Sequence, residues 1–323
     1  MSPTSMTPAG SPRLSLLERV LYLTSGTSPH GMLFLPGERV AKMRGMPAVR
    51  LFSTFALNRT VIDIFIRTGG RIIKAILGFR PLTGLLSRII RKKFHLERHS
   101  FIEEITDCPL PVNYVYTVRD FQLNNQDFPE GRFRFIGPSM MPRADVAPID
   151  FTTITKPIIY ISLGTLVNLT PSFYKKCIKA FQGEDVTVIM SLGSVVSRES
   201  LGNIPDNFMV FPSVPQLEVL RHAALFITHG GMNSVNEALY YGVPLLVVPF
   251  FFDQPAIAAR VEELHLGRKL DRRRLKPNHL RSSALSVIAD SSLKRNLGNM
   301  KEQMAHAGGN NRAAREIIDF LQK

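Results

Sequence analysis

Phe226 to Gln254 reads FITHGGMNSVNEALYYGVPLLVVPFFFDQ. The run Ala224–Thr228 has the apolar composition of a buried strand, and it stops at the turn His229-Gly230-Gly231. Met232 to Tyr241 reads as a helix closed by Gly242 and Pro244. Pro244 to Phe252 reads as a second buried strand that ends at Asp253-Gln254, before the helical pattern IAARVEEL. Strand, turn, helix, strand, turn, helix is the pattern of a parallel sheet with crossover helices. In such sheets ligands bind at the carboxyl ends of the strands, where His229 and Asp253-Gln254 both fall.

The residue types of the turn suit a phosphorylated ligand. Adjacent glycines let backbone approach a ligand closely and tolerate positive φ. The helix start that follows offers unpaired N–H groups and a partial positive charge. Asn233 and Ser234 add amide and hydroxyl donors, and His229 adds a ring N–H. Glu237, one turn into the helix, can accept from paired hydroxyls such as those of a ribose, and Asp253 and Gln254 can do the same for a sugar. Plainer readings stand beside these. Ser234-Val-Asn-Glu237 fits a capping box, Asp253 before Pro255 fits an N-cap, and His229 fits a satisfied histidine at a strand end. The convergence of all of them on neighbouring strand ends, with two glycines between, favours the ligand.

HGGMNSVNEAL, GVPLLVVPFFFDQ and the segment Val214-Pro-Gln-Leu-Glu-Val-Leu220 resemble the donor-binding signature of the family-1 UDP-glycosyltransferases, in their bacterial macrolide-type branch. The resemblance runs from about Leu35 to the C-terminus and is most specific over 210–260. It implies that His229 and Ser234 contact the pyrophosphate beside Gly230 and Gly231, and that Asn233 adds a phosphate contact. Glu237 would hold the ribose, and Asp253 and Gln254 the sugar. Gln216, in the segment opened by Val214, would sit where the nucleotide base is read. Gly164-Thr165, ending the strand Pro157–Leu163, would lie beside the phosphates. One position departs: where many members carry an aromatic residue three places before that glutamine, this chain has Ser213, which leaves base stacking weaker or supplied by Phe211.

The resemblance also implies an α/β protein of GT-B type with two Rossmann-like parallel-sheet domains. The expected organisation is a variable, disordered N-terminus over 1–34, a partial acceptor-binding domain over 35–140, a linker over 141–156 and a UDP-sugar donor-binding domain over 157–323, whose final helix returns to the first domain. In the family the acceptor domain opens with a strand and a Gly-His turn whose histidine is the general base, oriented by a later aspartate. His30-Gly31 is the nearest imitation, and it aligns with a later segment, so no catalytic base is assigned. The acceptor half is thus expected to be N-terminally shortened. The strand near Val49 is then expected to expose an edge and an apolar face, and residues 1–140 to be partly open or completed by a partner chain.

Composition bounds the rest. A chain of 323 residues suits two domains, and 45% hydrophobic with 20% charged residues is ample for packed cores. Forty basic against 26 acidic residues give a net charge of +14, which favours anionic partners. No nucleic-acid motif is present, so nucleic acid is not an expected partner. Cys108 and Cys177 form no metal or redox motif, and a reduced, cytoplasmic protein is expected. No apolar run reaches a membrane-spanning length, and the N-terminus is not read as a signal peptide.

Asn58–Phe79 and Leu82–Phe101 read as helices. Arg59 to Glu104 holds ten Lys/Arg and four acids, with apolar residues at helical spacing. One reading is core-facing helices with solvated basic faces; the other is a basic amphipathic surface that meets anionic lipid or flanks a lipophilic acceptor. Lys276 onward gives three more helices.

No Asp-x-Asp motif or ligand cluster appears, so a UDP-sugar is expected as co-substrate with no cofactor and no metal. The implied reaction is inverting transfer of a hexose, glucose first, from UDP to a hydroxyl of a small lipophilic acceptor such as a macrolide, hence antibiotic modification. The alternative is a donor-binding subunit or an inactive nucleotide-sugar-binding remnant.

Overall fold

A computed structural model describes residues 47–69, 110–141, 148–164 and 171–322, together with the isolated positions 24–25, 84–85, 88–89, 92 and 106. Residues 35–44, most of the basic segment 59–104 with its membrane-surface reading, His30 and Thr165 lie outside the described residues.

Two parallel sheets carry the fold. The first contains β1 (Thr24–Ser25), β2 (Arg50–Phe52), β3 (Asn113–Val115) and β4 (Phe133–Phe135), hydrogen-bonded in that order. Thr24–Gly31 reads as a loop in the sequence, yet Thr24 and Ser25 pair with Arg50 and Leu51. The expected open edge at the Val49 strand is therefore corrected: β2 is paired on both sides, by β1 and by β3. Helix α1 (Arg59–Thr68) follows β2. Its cap is Asn58, whose side chain accepts from Val61 N at 2.8 Å, and its buried face is Val61, Ile62 and Phe65. The helix expected to reach Phe79 has its last helical residue at Thr68, before Gly69.

The second sheet is built from β5 (Ile158–Ser162), β6 (Thr187–Ser191), β7 (Phe208–Phe211), β8 (Ala223–Thr228), β9 (Leu245–Val247) and β10 (Gly267–Lys269). Its spatial order is β10-β9-β8-β5-β6-β7, with every pairing parallel. All five side chains of β5 are buried, as a strand covered on both faces requires. The helices between and after these strands are α2 (Ser172–Phe181), α3 (Gln216–His222), α4 (Met232–Tyr241), α5 (Gln254–Glu263), α6 (Pro277–Ala289), α7 (Ser292–His306) and α8 (Gly309–Gln322). Helix α4 ends as its sequence predicts, with Gly242 at φ +74° and its N–H bonded to Ala238 O and Leu239 O.

Strand order reverses between β5 and β8. The chain winds outward from β5 to β7, then returns to the other side of β5 as β8 and winds outward to β10. Such a reversal splays the connecting helices apart and opens a crevice at the carboxyl ends of the two strands.

The two lobes are joined by more than their connecting segment. Asn236 of α4 is 1% exposed. Its Nδ2 donates to Tyr116 O at 2.6 Å, and its Oδ1 accepts from Thr117 Oγ1 at 3.0 Å. Arg260 of α5 donates to the carbonyls of Asp120, Phe121 and Gln122 at 2.7, 3.3 and 3.3 Å. Helix α8 packs on the first sheet, where Ala313, Ile317 and Phe320 join Val49, Tyr114 and Ile136. Among the described residues no helix is long and apolar enough to cross a membrane.

Candidate functional site

The crevice lies where β5 and β8 run side by side, with Ser162 paired to Thr228. Just beyond that pair stand Gly164 and His229. The imidazole of His229 is held between two glycines. A Cβ at Gly164 would lie 2.7 Å from its Cε1, and a Cβ at Gly231 would lie 2.5 Å from its Nε2. Gly164 also has φ +70°, which independently favours glycine. On the third side, Thr228 Oγ1 lies 3.4 Å from His229 Nδ1 and accepts from Gly230 N at 3.3 Å. Burial pushes the imidazole pKa down to about 4. The ring is therefore neutral at pH 7 and has one N–H to donate.

Gly231 is the N-cap of α4, with an extended backbone (φ −66°, ψ 136°). The N–H groups of the first turn, Met232 to Ser234, point out of the helix start without intrahelical partners. They supply an anion-binding end beside His229. The capping-box reading of Ser234 and Glu237 is corrected here, because these are the third and sixth residues of the helix rather than its cap pair. They serve a lateral network instead. Gln216 Nε2 donates to Glu237 Oε2 and, at 3.4 Å, to Ser234 Oγ. Gln216 Oε1 accepts from the hydroxyl of Tyr160 at 2.8 Å. The Tyr160 ring is stacked on Phe226, with centroids 4.6 Å apart and planes 9° apart. Glu237 is thus oriented by a buried amide (Gln216 is 6% exposed), which is itself oriented by a buried phenol. Asn233 is exposed at the same helix end.

The second strand of the quoted stretch is shorter than its apolar run. Only Leu245–Val247 pair as strand, and the chain then turns through Phe250–Phe252, with Phe252 at φ +56°. Asp253 occupies the cap position of α5. Its Oδ2 accepts from Thr54 Oγ1 of the first lobe at 2.6 Å. Burial raises the Asp253 pKa above the ordinary carboxylate value, and the hydrogen bonds from Thr54 and from the backbone N–H groups of Asp253 and Gln254 oppose that rise. Gln254 is buried, and its Oε1 accepts from the backbone N–H groups of Phe250 and Phe251 at 2.9 and 3.2 Å. Its amide N–H groups are what it can offer a ligand.

Val214 is 2% exposed, so its side chain belongs to the core. Ser213 is exposed and Phe211, the last residue of β7, is half-buried. Among the described residues no three His, Cys, Asp or Glu side chains are grouped to hold a metal ion.

The fold brings together Gly164, Gln216, His229, Gly230, Gly231, Asn233, Ser234 and Glu237 around the switch point, with Asp253 and Gln254 one strand further out. Sequence reasoning missed three supporting residues. Tyr160 carried a signal, since a tyrosine inside an otherwise Ile-rich buried strand needs a partner for its hydroxyl. Asn236 carried a weaker one, as a buried-face amide within the helix period. Thr54, 199 positions from Asp253, carried none.

Comparison with known proteins identifies the family and the fold. A profile of the family described as UDP-glucoronosyl and UDP-glucosyl transferase matches residues 119–306. The NDP-glycosyltransferase YjiC of Bacillus subtilis (strain 168) is 36% identical over 314 residues, covering 96% of this chain and 77% of that protein. The oleandomycin glycosyltransferase of Streptomyces antibioticus is 32% identical over 186 residues, covering 57% of this chain and 43% of that protein. Among solved structures, that of the calicheamicin glycosyltransferase CalG4 superposes with a TM-score of 0.74 at 29% identity, over 90% of this chain and 71% of that one. The two parallel sheets are those of a GT-B fold.

Proposed function

The chain belongs to the UDP-glucoronosyl and UDP-glucosyl transferase family and is a UDP-dependent glycosyltransferase, and from that premise we propose that it moves a hexose, glucose first, to a hydroxyl of a small lipophilic acceptor with inversion at the anomeric carbon. The observation that carries the donor side of this reading is the Tyr160–Gln216–Glu237 relay beside His229 and the start of α4. It sets a carboxylate for ribose hydroxyls next to donors for a pyrophosphate. In this reading the acceptor oxygen attacks the anomeric carbon while the bond to the UDP oxygen breaks, and the acceptor's hydroxyl proton passes to a general base to which no residue is assigned. The negative charge that develops on the departing diphosphate is met by the His229 N–H and the first-turn N–H groups of α4. No metal ion takes part in this reading, because those donors already converge on one place. Asp253 and Gln254 contact the sugar. A natural-product acceptor, as the names of the antibiotic-modifying relatives suggest, and a cytoplasmic setting, supported by the free, buried thiol of Cys177, complete the proposal.

Thermal melting with UDP and UDP-glucose tests it, beside His229→Ala and Glu237→Ala. A ligand at a hundred times its Kd adds about 2.7 kcal/mol. Stabilisation of the parent protein that disappears in both variants is the expected result. A folded protein that neither ligand stabilises overturns the donor site.

A further inference from the structure

The carboxylate assigned above to the sugar is held by the other lobe. Thr54 follows β2 of the first sheet, is 7% exposed, and gives its hydroxyl proton to Asp253 Oδ2 at 2.6 Å. The hydroxyl has little freedom to do otherwise. Two residues on, Ala56 N donates to Gln122 Oε1 at 2.9 Å, and Gln122 Nε2 donates back to Ala56 O at 3.1 Å. Phe55 and Ala56 are fully buried. Gln122 lies in the same turn whose carbonyls receive Arg260. The path closes on itself: Asp253 at the head of α5, Thr54, Ala56, Gln122, then Arg260 seven residues along the same helix. Helix α5 belongs to the donor lobe by chain order, yet the acceptor lobe holds it at both ends.

From this closed path we infer that Thr54 is a positioning residue for the sugar half of the donor. It orients the Asp253 carboxylate toward the hexose hydroxyls and makes that grip depend on the first lobe being docked. The inference rests on the reading of Asp253 as a sugar contact. A carboxylate has about four lone-pair sites; the Thr54 hydroxyl and the backbone N–H groups of Asp253 and Gln254 use part of that capacity, and the remainder is open to sugar hydroxyls. A buried carboxylate that loses its one side-chain donor has two ways to relax, rotation toward its backbone donors or protonation, and each removes an acceptor from the sugar. The residues assigned to the nucleotide, Gln216, His229, Ser234 and Glu237, all stand on the second lobe, and the first lobe reaches their helix through Asn236, which is not assigned to the ligand. The geometry therefore separates two parts of one ligand: UDP is read by one lobe, and the hexose by a residue that the other lobe sets in place.

Titration calorimetry of UDP and UDP-glucose on the full chain tests this, with the ratio of the two Kd values as the readout. Thr54→Val keeps the side-chain shape and removes the donor; Thr54→Ser keeps the donor; Asp253→Ala removes the acceptor. The expected result is that Thr54→Val weakens UDP-glucose roughly five- to tenfold, the scale of the net worth of one hydrogen bond. UDP should stay within about twofold, Thr54→Ser should behave as the parent, and Asp253→Ala should shift the ratio in the same direction as Thr54→Val. If Asp253→Ala shifts the ratio and Thr54→Val does not, Thr54 has no positioning role and the sugar contact stands. Equal weakening of both ligands by Thr54→Val makes Thr54 a general structural residue and overturns the inference. An unchanged ratio in Asp253→Ala removes the sugar contact and the inference with it. Thr54→Ala, read by the same criteria, replaces the valine variant should that one not fold.

Discussion

Gly164 and His229, just past the ends of adjacent strands and 65 positions apart in the chain, touch so closely that the glycine cannot carry a side chain: a Cβ would meet the imidazole Cε1 at 2.7 Å. The ring is a fixed part of the site because glycine backbone packs against it. Gly164→Ala combines that overlap with a positive φ, which costs a side-chain-bearing residue about 1–2 kcal/mol. We expect a lower melting temperature and UDP binding weakened by at least about tenfold, equivalent to roughly 1.4 kcal/mol. Calorimetry on the folded variant checks it, and parent-like UDP affinity would show that the ring does not need this wall.

The neutral state of His229 has a pH signature. Its folded pKa is depressed from the ordinary 6.5 to about 4. The unfolded chain therefore binds the extra proton between those values, and the stability associated with the neutral ring is present above pH 6.5 and is lost as the pH falls toward 4. The full effect is roughly 3 kcal/mol. Because carboxylates titrate in the same range, the measure is the difference between the parent and His229→Gln in denaturant unfolding at pH 7 and pH 4.5. The parent should lose more stability on acidification than the variant; parallel curves would place the ring in water.

Tyr160→Phe keeps the stack on Phe226 and removes one hydroxyl. It leaves Gln216 Oε1, a buried acceptor, without its donor, at a cost of about 1–3 kcal/mol. Because Gln216 also orients Glu237, UDP affinity should fall together with melting temperature. A variant that melts lower and still binds UDP like the parent would confine Tyr160 to the core.

Arg260→Ala releases the carbonyls of Asp120, Phe121 and Gln122. Charge-assisted bonds of this kind are each worth about 1.5–3 kcal/mol, so we expect faster protease cleavage near residues 119–132 and a lower melting temperature. Unchanged cleavage would mean that the Asn236 contacts hold the lobes without it.

Much of the second lobe is legible from periodicity and punctuation. The helix read over Met232–Tyr241 has those limits in the structure, because Gly231 and Gly242 stand at its two ends and both adopt cap conformations. The apolar run Pro244–Phe252 misled because hydrophobicity reports burial and not pairing: the last bond to β8 is Val248 N to Thr228 O at 2.8 Å, yet Phe250 and Phe251 beyond it still pack against the core. The short β10 and α3 lacked a period long enough to register. Of the site, the residues lying within one continuous signature were legible. Those that orient them were not, since Tyr160 and Thr54 act through contacts that only the packing of separate segments creates.

The two places where the chain passes between lobes lie against each other. Gly309 N donates to Ile136 O at 2.7 Å and Asn310 Nδ2 to Ser139 Oγ at 2.7 Å. Gly137 packs so near Ala307 that a Cβ there would lie 2.6 Å from the alanine Cβ. Two covalent passages side by side form a seam with a short lever arm. A rotation that opens the crevice bends only these few residues, and the chain's last helix travels with the first lobe. Pulling on the C-terminus would therefore load the first lobe directly, so that single-molecule force applied between the C-terminus and a handle in α2 would report the lobe interface before it reported either sheet.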